Sequence, residues 1–409
     1  MQTNRLRYFD AVRGLAALAV VIRHYRSAFY PYASFGGSPV AEYAPHFPFE
    51  IFLANTSLGL LTSLNFAFPM FFVLSGYVLS FKLIGKSGVR SRVLGSALKR
   101  PVRLVGMIWF SMILAYALGL LGWYYNNEIA ALTTSVPWFR DYWAGRVPSI
   151  LNFLRDLFVY PFTRSEIYNG PLWMMDVELT GSILTFVYLF LVGDRRWRLG
   201  ILIPSILLFW WMGTYHVGFA LGILCGEIGR IVEEKGLKVN WIFPVILLCL
   251  GLVFGSYPSL ITEELRARTI FAFLPYIEFH QGYHVIGGAM MLLAVVLSPA
   301  LQNLLNKKWL GWLGHVSYSV FTLHFLVLGS FSSFVYYVLY SKIGHNGAAF
   351  VSFALSIPLI LLLAKYAARY VDDNISRLAD WIGAKSEKFF ASVAARMQDT
   401  NGSNPEGME

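Results

Sequence analysis

Apolar runs of about 20 residues recur along almost the whole chain, and no other feature constrains the fold as tightly. In a hydrocarbon core about 30 Å thick, such a run satisfies its own backbone hydrogen bonds only as a helix. The alternating pattern of an outer-membrane barrel is missing. Composition agrees, since 56% of the 409 residues are hydrophobic and 14% are charged, too few charges for a soluble chain of this length. The expected fold class is all-α, a polytopic integral membrane helical bundle. About ten transmembrane helices are expected, with eleven as the alternative count, near 10–30, 60–84, 101–122, 172–192, 199–212, 214–231, 240–257, 282–300, 311–340 and 348–370.

Basic residues set the expected orientation. The loop after the second run carries Lys82, Lys86, Arg90, Arg92, Lys99, Arg100 and Arg103, whereas 31–59 contains neither Lys nor Arg. The positive-inside rule then puts both termini in the cytoplasm. The net charge of +10 gathers on that face, where anionic lipid or a phosphate-bearing ligand would meet it. Nucleic acid is a poor partner, because no soluble basic domain exists to hold it. The first run follows Arg5 and Arg7 like a secretory signal, but no small-x-small cleavage site follows and it reads as uncleaved. Cys225 and Cys249 both lie in apolar runs, which suggests neither a disulfide framework nor a metal site. Residues 1–374 are read as the transmembrane domain and 375–409 as a cytoplasmic interfacial helix followed by a disordered tail from Gln398.

Within the first run, Arg13 and His24 are eleven residues apart. At ~100° per residue that separation is three turns plus about 20°, so both lie on one face with a rise of about 16 Å. A charged stripe of this kind costs several kcal/mol unless it meets a polar interior. Ser75 and Gly76 interrupt the second run, where a missing side chain admits a neighbouring helix or a ligand. Arg100 and Arg103 stand one helical turn apart at the mouth of the third run and suit phosphate. Trp173, Asp176 and Glu178 open the fourth run, and intramembrane carboxylates favour function. Being two apart on a helix, Asp176 and Glu178 should not both face one site. Two long outer segments, 31–59 and 122–170, are rich in aromatic residues, which suit sugar faces and equally suit the interfacial belt.

These residues carry a resemblance. Arg13 through His24 resembles the arginine, ten residues, histidine signature of membrane acyltransferase family 3, the polytopic O-acyltransferases of cell-surface glycans. Phe71-Phe72-Val73-Leu74-Ser75-Gly76-Tyr77 is similar to that family's FFVLSGF element, Arg100 and Arg103 to its paired arginines, and Leu172-Trp173 with Val177-Glu178 to its Trp-to-Glu element. Gly314-His315-Val316-Ser317-Tyr318-Ser319 through His324 resembles its late Ser-Tyr-Ser…His segment. The matches keep family order over residues 7–375. Two departures stand out: Asp176 replaces a small or hydroxyl residue, and Asp372-Asp373-Asn374 replaces Glu-x-Pro. No hydrolase-like domain is expected after the membrane part.

The resemblance implies an acyltransferase that takes acyl-CoA, most simply acetyl-CoA, as co-substrate and holds no permanent cofactor. Its acceptor would be a saccharide or glycolipid hydroxyl, and other envelope-biosynthesis proteins are conceivable partners. Arg13, Arg100 and Arg103 would bind the donor. His24 would act as base or as an acyl-histidine carrier, with Glu178 or Asp176 orienting it. Ser75, Gly76, Tyr77, Trp173, Tyr318 and His324 would line the site. The expected location is the inner, or plasma, membrane of a bacterium. A proton-coupled transporter or flippase is the rival reading, and a non-enzymatic assembly partner is a third.

Overall fold

The computed structural model describes residues 4–35, 43–55, 64–86, 88–143, 147–259, 262–267 and 269–402. Among them all regular structure is helical, as the apolar runs require. The long helices are α1 (Asn4–Phe29), α2 (Ala67–Phe81), α3 (Arg90–Leu120), α4 (Met174–Val192), α5 (Leu199–Trp211), α6 (His216–Glu234), α7 (Ile242–Gly255), α8 (Gln281–Leu297), α9 (Lys308–Val327), α10 (Ser333–Ala367) and α11 (Asp373–Gly402). Each expected span falls on one of them, and the ninth runs across a π turn at Leu328–Ser332 from α9 into α10. At Gly344 the backbone turns through φ 71°, a left-handed conformation that glycine adopts without steric cost, and this kink separates the ninth run from the tenth.

By length and composition, Arg90–Leu120, Gly170–Val192 and the continuous stretch Lys308–Arg396 can cross a membrane. Gln281–Leu297 with Pro299–Leu305, bent by 98°, makes a fourth if the pair counts as one span. The chain is thus consistent with a helical membrane protein. The ten-span expectation goes further than these lengths do, for two physical reasons. Helices α2, α5 and α7 have 15, 13 and 14 residues, about 20 Å of helix each. Helix α1 has 26 residues but is interrupted by Asp10, Arg13 and Arg23.

The packing that positions the site is the contact of α1 with α9. A Cβ on Gly14 would stand 2.7 Å from the Gly314 nitrogen, and one on Gly314 would stand 2.2 Å from the Asp10 carbonyl oxygen. Only glycine permits so close a crossing. The helices run parallel from that point, so ten residues later, about 15 Å along each axis, His24 and His324 meet at the same level. Helices α2 and α6 also run parallel, with Gly218 against Phe72 near one end and Gly226 beside Tyr77 and Ser80 farther along, and they nearly touch where Gly222 meets the Val73 carbonyl.

The last helix corrects one expectation. It packs along α3, where Lys99 pairs with Asp380 and Arg92 Nε lies 3.4 Å from Glu387 Oε1. It also continues to Gly402, so 398–402 of the expected disordered tail are helical, while 403–409 lie outside the described residues.

Candidate active site

A cavity of about 300 Å³ opens between α1, α2, α3, α4 and α9 at the Arg13 end of α1. Arg13, Lys99, Arg100, Arg103 and His315 bring cationic or titratable groups to its wall, and Phe71, Leu74, Met174, Met175, Tyr318 and Phe321 supply apolar surface. The volume reaches the lower end of the range for small-molecule sites, and the mixture of apolar wall and convergent polar groups is what such sites need. Arg13 Nη1 donates to Asp10 one turn below, at 3.3 Å. Arg103 makes no hydrogen bond or ion pair among the described residues and leaves its guanidinium available to a ligand. Asp372, buried in the same wall, has an unpartnered Oδ1; its part in the cavity was not anticipated from the sequence.

Arg100 is held differently. Its Nη2 donates to Glu178, its Nε donates to Ser182 Oγ at 3.0 Å, and Ser75 Oγ donates to the same Glu178 carboxylate oxygen. The antiparallel course of α3 and α4 puts residue 100 opposite 178 and 182. Glu178 therefore partners Arg100 and Ser75 rather than His24. Its second oxygen, Oε2, is buried without a partner.

His24 lies farther along α1 and finds its partner on α9. His24 Nδ1 and His324 Nε2 are 3.0 Å apart. The Nδ1 of His324 lies 2.8 Å from the Phe321 carbonyl and 3.1 Å from that of Val320. Carbonyl oxygens only accept, so Nδ1 of His324 carries the hydrogen. In a neutral ring its Nε2 is then an acceptor, and His24 Nδ1 must donate to it. This leaves the lone pair of His24 on Nε2. Trp138 lies nearly parallel to the His24 ring at 6.0 Å, and Phe325 stands edge-on at 5.3 Å. His324 is fully buried, whereas His24 keeps part of its surface accessible.

The remaining expected residues divide. Ser75 and Tyr318 border the cavity, and Tyr318 donates to the Leu104 carbonyl at 2.9 Å. Gly76 and Tyr77 turn away from it. A Cβ at Gly76 would lie 2.1 Å from the Phe219 carbonyl oxygen, and Tyr77 packs on Phe9 and Phe81, so both belong to the helix interface. Asp176 is exposed on the opposite face of α4 from Glu178, as their ~200° separation requires. Trp173 packs with Phe68 and Tyr215 outside the cavity. The pairing of His24 with His324 was missed as a pairing, although both histidines follow a glycine by ten residues. Among the described residues no cluster of His, Cys, Asp and Glu is arranged to hold a metal ion.

Comparison with known proteins follows the same lines. The family model of the acyltransferase domain matches residues 6–365. Acyltransferase clz18 of Cochliobolus lunatus is 22% identical over 382 residues, covering 79% of this chain and 81% of that protein. O-acetyltransferase PaAT-1 of Phomopsis amygdali is 23% identical over 425 residues, covering 91% and 84%. No solved structure matches. Both relatives are fungal, so they lend nothing to the expectation of a bacterial source.

Proposed function

The chain belongs to acyltransferase family 3 and is an O-acyltransferase, and from that premise we propose that it transfers an acyl group, acetyl in the simplest case, from acyl-CoA to a saccharide or glycolipid hydroxyl. The observation that carries this reading is the division of α1: an arginine-lined cavity surrounds Arg13, and an oriented histidine pair stands about 16 Å farther along. CoA phosphates fit Arg13 and Arg103, with Arg100 held ready by Glu178. The apolar wall of Met174, Met175 and Phe321 takes the acyl arm toward His24.

In the proposed step, His24 Nε2 removes the proton of the acceptor hydroxyl while the oxygen attacks the thioester carbon. The carbon–sulfur bond breaks, and CoA thiolate leaves and recovers that proton from His24. His324 receives the Nδ1 hydrogen bond throughout and steadies the imidazolium formed in between. Trp138 offers a flat face beside His24 on which a sugar can stack. The name of the Phomopsis amygdali relative favours acetyl as the group.

The same reading makes the protein a multi-pass membrane enzyme with ten crossings, both termini cytoplasmic, and a donor cavity open to the cytoplasm. Helix directions support the count. The first and ninth runs are parallel, as are the second and sixth, while the third and fourth are antiparallel, the parity that single crossings demand.

The test is CoA release from acetyl-CoA by purified protein in vesicles supplied with a glycan acceptor, wild type beside His24→Ala. Release that depends on both acceptor and His24, and falls at least ~10²-fold in the variant, is expected. Undiminished release in His24→Ala removes the histidine from the chemistry. Solute movement without CoA release would instead favour a transporter.

A further inference from the structure

Arg23, the residue before His24, is not used by this mechanism and is built into the molecule with care. Its Nε donates to Asn65 Oδ1 at 2.9 Å. Asn65 is itself almost fully buried, and its Nδ2 donates to the Tyr257 carbonyl at 3.0 Å, which fixes the amide with its oxygen toward Arg23. The guanidinium carbon lies 5.9 Å from the centroid of Phe68. Phe68, Trp173 and Tyr215 form a mutual aromatic wall with centroids 5.5–5.7 Å apart. Trp173 remains 37% exposed, so the wall can be reached.

What the site lacks is a countercharge. Buried Glu178 and Glu227 neutralise Arg100 and Arg198. Arg23 has no carboxylate partner among the described residues, and its two terminal amino groups donate to none of them. An uncompensated guanidinium in an apolar setting is costly. An anionic ligand offsets that cost, and the guanidinium fork suits the two oxygens of a carboxylate or phosphate. The aromatic wall beside it suits the apolar face of a sugar ring.

We propose that Arg23, with the Phe68–Trp173–Tyr215 wall, is an acceptor subsite for an oxyanion, and that the acceptor is an anionic sugar whose hydroxyl is presented to neighbouring His24. This rests on the acyl-transfer reading for the identity of the ligand as acceptor. Arg23 is here a specificity residue that takes no part in proton transfer.

The experiment uses three probes: an alkyl glucuronide, an alkyl glucoside 6-phosphate and the neutral alkyl glucoside. Thermal stabilisation of the full chain and KM in acetyl transfer are measured for wild type, Arg23→Gln and Arg23→Lys. Wild type should favour an anionic probe about 10-fold, equivalent to about 1.4 kcal/mol. In Arg23→Gln that preference should disappear, with KM for acetyl-CoA unchanged, and Arg23→Lys should keep part of it. A stronger response to the glucuronide identifies a carboxylate, and one to the 6-phosphate identifies a phosphate. Absence of any preference in wild type overturns the proposal, as does equal weakening of neutral and anionic probes by Arg23→Gln. Arg23-dependent stabilisation by phosphatidylglycerol vesicles, with no response to the sugars, also overturns it. Arg23-dependent binding of the anionic probes without acetyl transfer to any of them would leave the subsite standing and remove the acyl-transfer reading.

Discussion

At the Arg13 end of α1 the polar groups are ions around an open cavity, with Arg100 against Glu178 and both Arg103 and Asp372 in the wall. At the His24 end they are two imidazoles joined by one hydrogen bond and closed in by Trp138 and Phe325. The first arrangement suits a charged ligand that enters with water around it. The second fixes where a hydrogen sits, because the carbonyls of Val320 and Phe321 set the tautomer of His324 and hence that of His24. Binding energy and proton transfer are thereby assigned to opposite ends of one helix, and substitutions at the two ends should separate kinetically.

The largest effect is expected at His24. His24→Ala should lower kcat by about 10³-fold while KM for acetyl-CoA stays near its wild-type value. A large rise in donor KM would break the comparison, since it would give the histidine end a part in donor binding. His324→Ala should lower kcat less, by roughly 10²-fold, the usual scale for losing the partner that orients a functional histidine. Its pH–rate profile should move as well, because the tautomer of His24 is no longer set. A profile that keeps its wild-type position would reduce His324 to packing. At the other end, Arg103→Ala should raise KM for acetyl-CoA about 10-fold with kcat retained, measured in steady-state kinetics. A collapsed kcat with unchanged KM would contradict the division from the donor side.

The smallest effect concerns a clamp beyond the His24 end, between the ninth and tenth runs. The His46 and His345 rings stack at 3.8 Å, Glu50 accepts from His46, and the Tyr336 hydroxyl is hydrogen-bonded to His345 Nδ1 at 2.8 Å. Burial, and then the adjoining His46, push His345 from 6.5 down to about 4. The unfolded chain takes up this proton near pH 6.5 and the folded chain only near 4. The contribution to stability is therefore complete above pH 6.5 and is lost as pH falls toward 4. Melting temperature should drop between pH 7.5 and 5, and less steeply in His345→Gln. An identical slope in the variant would show that other groups govern acid sensitivity.

The helices were legible because length, apolar content and period are properties of adjacent residues, so each expected span found its helix. The common face of Arg13 and His24 and the opposed faces of Asp176 and Glu178 follow from helical geometry in the same way. Which neighbours those faces meet is a different kind of fact. Glu178, expected near His24, lies against Arg100 because α3 and α4 are antiparallel. Gly76 and Tyr77, expected in the site wall, are consumed by the close packing of α2 on α6. Lone Arg23 gave no hint that Asn65 would hold it.

By itself, then, the sequence determined an apolar helical chain with an arginine and a histidine on one stripe, and it determined the family through motifs kept in order. The tertiary structure decided the partners. Gly14 and Gly314 let two helices 300 residues apart in sequence approach until their backbones touch, and equal spacing beyond that crossing brought His24 to His324. A local period specifies the direction of a side chain, whereas the side chain it meets depends on packing between segments remote in the sequence.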